Sequence, residues 1–154
     1  MHPELMARAI ALAVANVRAG GGPFAALIAR GAAVVAEGTN RVTATNDPTA
    51  HAEVVAIRAA CAHLGTFQLD GCDLYTTCEP CPMCLGAVYW ARPARVFFAA
   101  TRHDAADAGF DDALIYHEVA LAPSARAIPT AHAPHPDALA PFAAWRALGQ
   151  KVEY

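Results

Sequence analysis

Two short segments carry side chains that could bind a metal ion and move protons. The first is His-Ala-Glu at 51–53, and the second is Pro-Cys-Pro-Met-Cys at 80–84. Zinc binds neutral imidazole nitrogen and thiolate sulfur in tetrahedral geometry, and a catalytic zinc keeps its fourth position for water. His51, Cys81 and Cys84 therefore supply the donors of a three-ligand site with one open position.

Glu53 follows the expected ligand His51 by two residues. Two thiolates reduce the positive charge of a zinc ion, so its bound water acidifies less than on a zinc held by three histidines. A nearby base then becomes more important, and Glu53 is placed to serve as one. Together the two segments match the H-x-E…P-C-x-x-C signature of zinc deaminases, in which the glutamate carries protons and is not a ligand.

Other interpretations of the cysteines stay open from the residues alone. A Cys-x-x-Cys pair also occurs in structural zinc knuckles and in redox pairs, and the cysteines at 78, 81 and 84 are similar to an iron–sulfur run without its fourth cysteine. A closed structural zinc would take Cys78 as its fourth ligand. In a non-enzymatic, zinc-stabilised binding module, Glu53 would be a solvated acid. The His51/Glu53 element favours catalytic zinc over all of these.

Both metal-binding segments are predicted to open helices, where unpaired N–H groups and the helix dipole favour thiolates. The pattern predicts, in chain order, a helix over 3–19, strands over 24–30 and 33–38, a helix from 49 or 50 to 63, a strand over 73–77, a helix from 79 to 92, a strand over 95–100 and a last packed helix over 141–148. This alternation predicts an α/β fold, a three-layer α/β/α sandwich.

Several local expectations accompany this fold. The strand over 95–100 is apolar on both faces and is expected to be central in the sheet. Residues 40–49 and 101–107 are expected to be loops, and 121–136 is expected to be irregular. The first helix is expected to pack through Met6, Ile10, Ala13, Val14 and Val17.

Composition limits the function classes. A chain of 154 residues suits one domain, and a net charge of −3 argues against binding nucleic acid through its backbone. No stretch is long and apolar enough to span a membrane. The chain start lacks a basic, signal-like segment, and three of the five cysteines cluster within seven residues. We therefore expect a cytoplasmic protein whose clustered cysteines bind metal or act in catalysis.

Six segments carry a resemblance that runs over nearly the whole chain: Gly-Gly-Pro-Phe at 21–24, Thr-Asn-Asp-Pro-Thr-Ala-His-Ala-Glu at 45–53, Cys-Glu-Pro-Cys-Pro-Met-Cys at 78–84, Tyr-Trp-Ala-Arg-Pro at 89–93, Ala-Gly-Phe-Asp-Asp at 108–112 and Glu-Tyr at 153–154. The sequence resembles the cytidine-deaminase superfamily and, within it, the bacterial guanine deaminases of the short, zinc-dependent type. The metal motif is common to the superfamily. The Gly-Phe-Asp-Asp stretch and the terminal tyrosine are more specific to the guanine branch.

The resemblance implies a fold and an assembly. The fold is a three-layer sandwich around a five-stranded mixed sheet, formed by one zinc-dependent deaminase domain over residues 1–154. The assembly is a homodimer in which the C-terminal segment, about 121–154, crosses to the partner and closes its active site. The implied ligand is a small nucleobase, with no nucleic acid and no membrane involved.

The resemblance also implies a role for each site residue. His51, Cys81 and Cys84 hold Zn²⁺, Glu53 carries protons, and Asp112 faces the amino group or a ring N–H. The residues implied to contact substrate are Asn40 at the purine edge, Phe24 on the ring, Ala52, Trp90 in the pocket wall and Tyr154 from the C-terminus.

The implied reaction is hydrolytic deamination of guanine to xanthine and ammonia. Without the resemblance, Asn40 would be a loop residue and Phe24 a core residue. Trp90 suits the core as well as a pocket, and the pair Asp111-Asp112 suits a helix N-cap with an acid in the first turn. Deamination of guanosine, cytosine or another amino-substituted nucleobase or nucleoside is the alternative activity. Deamination of adenosine in tRNA would need a basic surface that the net charge does not favour.

Overall fold

The computed structural model describes residues 1–154. Its elements are α1 (Pro3–Arg18), β1 (Ala25–Arg30), β2 (Ala33–Thr39), α2 (Val42–Thr45), α3 (Ala52–Leu64), β3 (Asp73–Cys78), α4 (Pro82–Ala91), β4 (Arg95–Ala100), α5 (Arg102–Asp107), α6 (Ala113–Val119), a 3₁₀ turn (Pro123–Ala125) and α7 (Ala140–Ala147). The predicted order of the main helices and strands is confirmed, with bounds that agree within about three residues.

The strands form a four-stranded mixed sheet in the order β2-β1-β3-β4. Strand β1 is antiparallel to both β2 and β3, whereas β3 and β4 are parallel. The parallel pair is joined by α4, as a crossover connection requires. The expectation of five strands is wrong for this chain, because only four strands pair here.

Helices cover both faces of the sheet, as the three-layer prediction required. On one face, α1 packs Leu5 and Ala9 against Leu27 and Tyr75 of the sheet. On the other face, α3 and α4 pack around a core of small and aliphatic side chains: Ala26, Ile28, Ala52, Ala56, Ile57, Ala60, Leu74, Val88 and Ala91. The segment that holds His51 therefore begins a helix fixed on the sheet.

Helix α1 packs through a face that only partly overlaps the predicted one. Its buried residues are Leu5, Ala9 and Ala13, which repeat every four residues. Small side chains allow the helix axis to approach the sheet closely, whereas the larger residues of the predicted stripe stay half-exposed: Ile10, Val14 and Val17. The prediction was right for Ala13, which is buried, and for Met6, which packs against the cluster around Leu5. It was wrong for these three residues.

Strand β4 lies at the edge of the sheet and not at its centre. It pairs with β3 on one side and with no strand on the other, and Phe98 is 48% exposed. The apolar pattern on both faces had predicted a central strand. An apolar composition alone does not distinguish a central strand from an apolar strand at the edge of a sheet.

Two predicted loops contain helical turns. Residues 102–107 form α5, which Thr101 starts with a capping box because its hydroxyl accepts from Asp104 N and the Asp104 carboxylate accepts from Thr101 N. The Thr-x-x-Asp spacing was the available signal. Within 40–49, residues 42–45 form the short helix α2.

The chain divides into two compact units, residues 1–112 and 113–154. The second unit consists of α6, the 3₁₀ turn and α7, with an irregular stretch over 126–136 as predicted. Helix α7 was expected to be packed, but its apolar side chains are exposed: Phe142, Trp145 and Leu148. None of the helices combines the length and hydropathy needed to cross a membrane.

Gly38 of β2 marks the closest approach between the sheet and α3. A Cβ at this position would lie 2.3 Å from the Ala52 carbonyl oxygen and 2.5 Å from the Ala56 nitrogen. Both atoms belong to the α3 backbone, so no side-chain rotation could relieve the contact. Any larger residue must push away the helix that begins after His51.

We therefore expect Gly38→Ala to lower the free energy of unfolding by about 1–3 kcal/mol, the usual cost of overpacking. Denaturant unfolding and zinc content per chain measure the effect. Gly86→Ala is the matched control, since a Cβ at Gly86 in α4 would meet nothing within 4 Å and should stabilise the helix by about 1 kcal/mol. Equal stability of the two variants would contradict the close-contact explanation.

A buried carboxylate ties the parallel strands together. Arg95 of β4 donates Nε to Asp73 Oδ1 at 2.9 Å and Nη2 to Oδ2 at 2.8 Å. Asp73 is buried while Arg95 is largely exposed. The hydrogen bonds from Arg95 lower the pKa of Asp73, and the positive charge of Arg95 adds to this.

Asp73→Asn is expected to cost about 1–2 kcal/mol of unfolding free energy at neutral pH, a modest value because Arg95 is exposed to solvent. The stabilisation exists above the unfolded-state pKa of about 3.9 and disappears as pH falls through the depressed folded-state pKa. Urea unfolding of both proteins at pH 7 and below pH 4 measures this. A stability difference that grows toward acid would contradict the assignment.

Candidate metal centre and active site

The two metal-binding segments meet at the N-termini of α3 and α4. His51 is the N-cap residue of α3, and Cys81 is the N-cap residue of α4, with Pro82 in the first helical position. Proline is favoured there because its missing N–H would have no helical partner. Cys84 lies one turn further along α4 and is fully buried.

The three expected ligand atoms lie within 4.8 Å of one another. His51 Nδ1 is 3.6 Å from Cys81 Sγ and 3.5 Å from Cys84 Sγ. A tetrahedral zinc with Zn–N of about 2.0–2.1 Å and Zn–S of about 2.3 Å places nitrogen and sulfur about 3.5 Å apart. The residues present therefore fit zinc in both donor chemistry and spacing.

Glu53 lies beside the ligands without being one of them. Its Oε2 accepts a hydrogen bond from Cys84 Sγ at 3.4 Å, and its Oε1 accepts one from Thr76 Oγ1 at 3.1 Å. The side chain is only 6% exposed. Burial raises the pKa of Glu53 above its ordinary value, which is the direction that suits a carboxylate that accepts and returns protons.

Hydrogen bonds within the ligand set also shift the pKa values of the ligands. The hydrogen bond with Cys84, assisted by His51, lowers the pKa of Cys81 to about 4, and the hydrogen bond with Cys81 raises the pKa of His51. The pKa of Cys84 is raised by the same contact with Cys81 and by burial. Cys81 is thus prepared as a thiolate, the form that binds zinc.

Cys78 does not belong to the ligand group. Its Sγ donates instead to the Thr101 carbonyl oxygen at 3.4 Å, and burial raises its pKa to about 11. A closed four-ligand structural zinc would have required Cys78 beside His51. The described geometry leaves one tetrahedral position without a protein ligand, which agrees with the open position of a catalytic zinc.

Comparison with known proteins identifies the family. Residues 1–100 match the family described as the cytidine and deoxycytidylate deaminase zinc-binding region. The chain belongs to this family of zinc-binding deaminases. In this deaminase, zinc is therefore the cofactor that His51, Cys81 and Cys84 are positioned to hold.

Individual proteins of known name or structure are similar to this chain over most of its length. The chain is 56% identical over 154 residues to a guanine deaminase from Bacillus subtilis (strain 168), with 99% of each chain covered. The X-ray structure of guanine deaminase from B. subtilis matches with a TM-score of 0.98 at 55% identity, covering 100% of this chain and 99% of that one. A further structure, solved in complex with 2,6-diaminopurine, matches 70% of this deaminase and 61% of its own chain at 39% identity and a TM-score of 0.68.

Three of the expected site residues have neighbours that the structure describes, and their roles toward substrate stay predictions. Phe24 packs edge-to-face on Phe110, with ring centroids 5.0 Å apart. Asn40 pairs with Phe24, because Asn40 N donates to the Phe24 carbonyl oxygen at 3.0 Å. Burial raises the pKa of Asp112, and the negative charge of Cys81 adds to this, so Asp112 lies within electrostatic reach of the ligand set.

The remaining expected contacts differ in their surroundings. Ala52 is fully buried between His51 and Glu53, and Trp90 on α4 is 63% exposed, so the alternative of Trp90 as a core residue is wrong. Tyr154 lies in the second unit and is exposed. The roles of Ala52, Trp90 and Tyr154 toward substrate stay predictions.

Two residues near the site were missed by sequence analysis of this deaminase. Thr76, buried in β3, orients Glu53 through its hydroxyl. Glu79 Oε2 accepts a hydrogen bond from Arg102 N at 3.1 Å and so ties the segment before Cys81 to the start of α5. Every residue of β3 is buried, so no alternation of burial could have marked Thr76 as functional.

Proposed function

We propose that this deaminase converts guanine and water to xanthine and ammonia. The observation that carries the proposal is the set of His51, Cys81 and Cys84 at zinc-binding spacing, with the buried Glu53 carboxylate 3.4 Å from Cys84 Sγ. The full-length similarity to a B. subtilis guanine deaminase supports guanine as the substrate.

Zinc bound by His51, Cys81 and Cys84 would supply an acidified water and Lewis-acid stabilisation. Glu53 accepts the first proton of the attacking water and delivers it to purine N3 while the water oxygen bonds to C2. Glu53 then takes the second proton from this oxygen and passes it to the amino group, which leaves as ammonia. Thr76 holds Oε1 of Glu53 by a hydrogen bond, and Oε2, which lies beside the ligand Cys84, is the oxygen that exchanges protons.

Recognition of guanine would use the groups that flank this centre. An asparagine offers a donor and an acceptor together, whereas a carboxylate only accepts. Asn40 can therefore pair with adjacent N–H and C=O groups on the purine, and Asp112 can accept from the amino group or a ring N–H. A site built on such pairs rejects analogues that lack one partner, because buried polar groups are then left unpaired.

Ammonia release from a substrate panel tests the proposal. The zinc-loaded protein is offered guanine, 2,6-diaminopurine, guanosine, adenine and cytosine, and product formation is followed by chromatography. The expected result is conversion of guanine to xanthine with one ammonia for each xanthine. Activity confined to cytosine or guanosine would overturn the substrate assignment, and inactivity on every compound would favour a binding module.

We infer that the active form is a homodimer in which residues 1–154 act as one deaminase domain and the segment of about 121–154 is exchanged between copies. Apolar side chains exposed on both units support this inference: Ile10, Val14, Val17, Phe142, Trp145 and Leu148. Light scattering should give twice the chain mass of 16.1 kDa. A monomer at assay concentration would contradict the dimer.

We also propose a cytoplasmic location for the protein, because thiol ligands stay reduced in that compartment.

Tyr154 is proposed to complete the substrate site from the chain terminus. Deleting Tyr154 should raise the KM for guanine by about tenfold if one aromatic contact with the base is lost. The zinc content should stay unchanged, because Tyr154 is not a ligand. Steady-state kinetics measure the effect, and an unchanged KM would show that Tyr154 is only a tail.

A further inference from the structure

Asn16 lies where helix α1 meets two segments that the proposed function uses. Its Nδ2 donates to the Gly22 carbonyl oxygen at 2.8 Å and to the Asn40 carbonyl oxygen at 3.0 Å. An amide nitrogen carries two hydrogens, so both hydrogens of Asn16 are used. One side chain thereby joins the segment before Phe24 to the segment that contains Asn40.

The backbone of Asn16 holds the same turn. Gly21 N donates to the Asn16 carbonyl oxygen at 2.8 Å and Gly20 N donates to the Val17 carbonyl oxygen at 2.9 Å, which is the hydrogen-bond pattern of a Schellman helix end. A Cβ on Gly21 would lie 2.4 Å from Asn16 Nδ2. A side chain at position 21 would therefore displace the Asn16 amide, whereas the left-handed φ of 87° at the helix end belongs to Gly20.

Asn40 is held at several points by these contacts. Its N donates to the Phe24 carbonyl oxygen at 3.0 Å, its carbonyl oxygen accepts from Asn16, and its Oδ1 accepts from Val42 N at 3.3 Å. The side-chain orientation of Asn40 is thus set before any ligand binds. Preorganised polar groups bind more tightly because less ordering is needed on binding.

We propose that Asn16 is a positioning residue for substrate recognition, acting through Asn40. The inference rests on the proposed function, in which Asn40 pairs with the purine edge and Phe24 packs on the ring. The side chain of Asn16 bonds to Gly22 and Asn40 and not to His51, Cys81, Cys84 or Glu53, so its removal should weaken substrate binding and leave the proton transfers of Glu53 intact.

Kinetics of two variants test the proposal. Asn16→Asp places an oxygen against two carbonyl oxygens, and Asn16→Ala removes the donor without adding repulsion. Each should raise the KM for guanine by about tenfold, as expected for the loss of about two hydrogen bonds, with kcat changed by less than about twofold. Ala11→Gly in the same helix is the control, since Ala11 is exposed and the change should lower stability by about 1 kcal/mol and leave KM unchanged.

A double variant separates positioning from general destabilisation. In an Asn40→Ala background, Asn16→Ala should change KM by less than about twofold, because coupled residues are not additive. Equal tenfold effects in both backgrounds, or a fall in kcat with KM unchanged, would overturn the proposal.

Hydrogen–deuterium exchange gives a readout that does not depend on the substrate. In Asn16→Ala, exchange should accelerate in peptides covering residues 20–24 and 39–42 and not in peptides of β3. Unchanged exchange would overturn the positioning role. If wild-type protein releases no ammonia from guanine while exchange accelerates as expected, the proposed function fails and the link between the two segments stands.

Discussion

A Glu53→Gln protein is expected to keep its zinc and to lose deamination of guanine by roughly 10²–10⁴-fold, the usual contribution of a general acid–base group. The amide cannot accept a proton from water and return it to the purine. Glutamine has the shape of Glu53 and keeps an oxygen that can accept from Thr76 Oγ1, so the melting temperature should stay close to that of wild type. Ammonia release, elemental analysis and thermal unfolding measure the three quantities.

Glu37→Gln is the matched control, because Glu37 forms an ion pair with Arg8 at the surface of the protein. Its activity should stay within about twofold of wild type, as expected of a substitution outside the reacting groups. A Glu53→Gln protein with wild-type activity would remove Glu53 from the mechanism. Loss of zinc from that variant would instead make Glu53 a ligand.

Replacing the ligand Cys84 by serine should remove most of the bound zinc and lower the melting temperature. A serine hydroxyl stays protonated at neutral pH and is a poor zinc ligand, and metal affinity contributes directly to folding. Cys84 is fully buried between His51 and Glu53, so the loss should also loosen the starts of α3 and α4. Elemental analysis should show that most of the zinc per chain is lost, and the ammonia-release assay should show no activity.

Cys78→Ser provides the matched control for this prediction. Cys78 is also buried, but it donates to the Thr101 carbonyl oxygen, a bond that a serine hydroxyl can replace. That variant should keep one zinc per chain. If both variants keep zinc, His51, Cys81 and Cys84 are not the ligands. If Cys78→Ser alone loses it, the site is the closed structural type.

The metal centre could be predicted from the sequence because its spacing is local. Cys81 and Cys84 lie three residues apart at the start of one helix, and Glu53 follows His51 within one segment. The two segments meet because α3 and α4 pack on the same face of the sheet. Spacings within one short segment can be recognised directly in the sequence.

The parts that could not be predicted depend on contacts distant in sequence. Thr76 meets Glu53 across 23 residues, and Asn16 meets Asn40 across 24. No periodicity marks either residue. The packing face of α1 was mispredicted because close approach to the sheet favours Ala9 and Ala13 over larger neighbours, a steric preference that hydrophobicity does not encode.

The unpaired side of β4 has a consequence for how the protein behaves when it is produced in quantity. Main-chain N–H and C=O groups along the free edge of this strand can form hydrogen bonds with another extended chain. That chain can be a second, newly made copy of the protein paired in the wrong register. Dilute expression at low temperature should therefore raise the soluble yield. Phe98→Lys would place a charge at a half-exposed position of this edge strand and should reduce edge-to-edge association between copies.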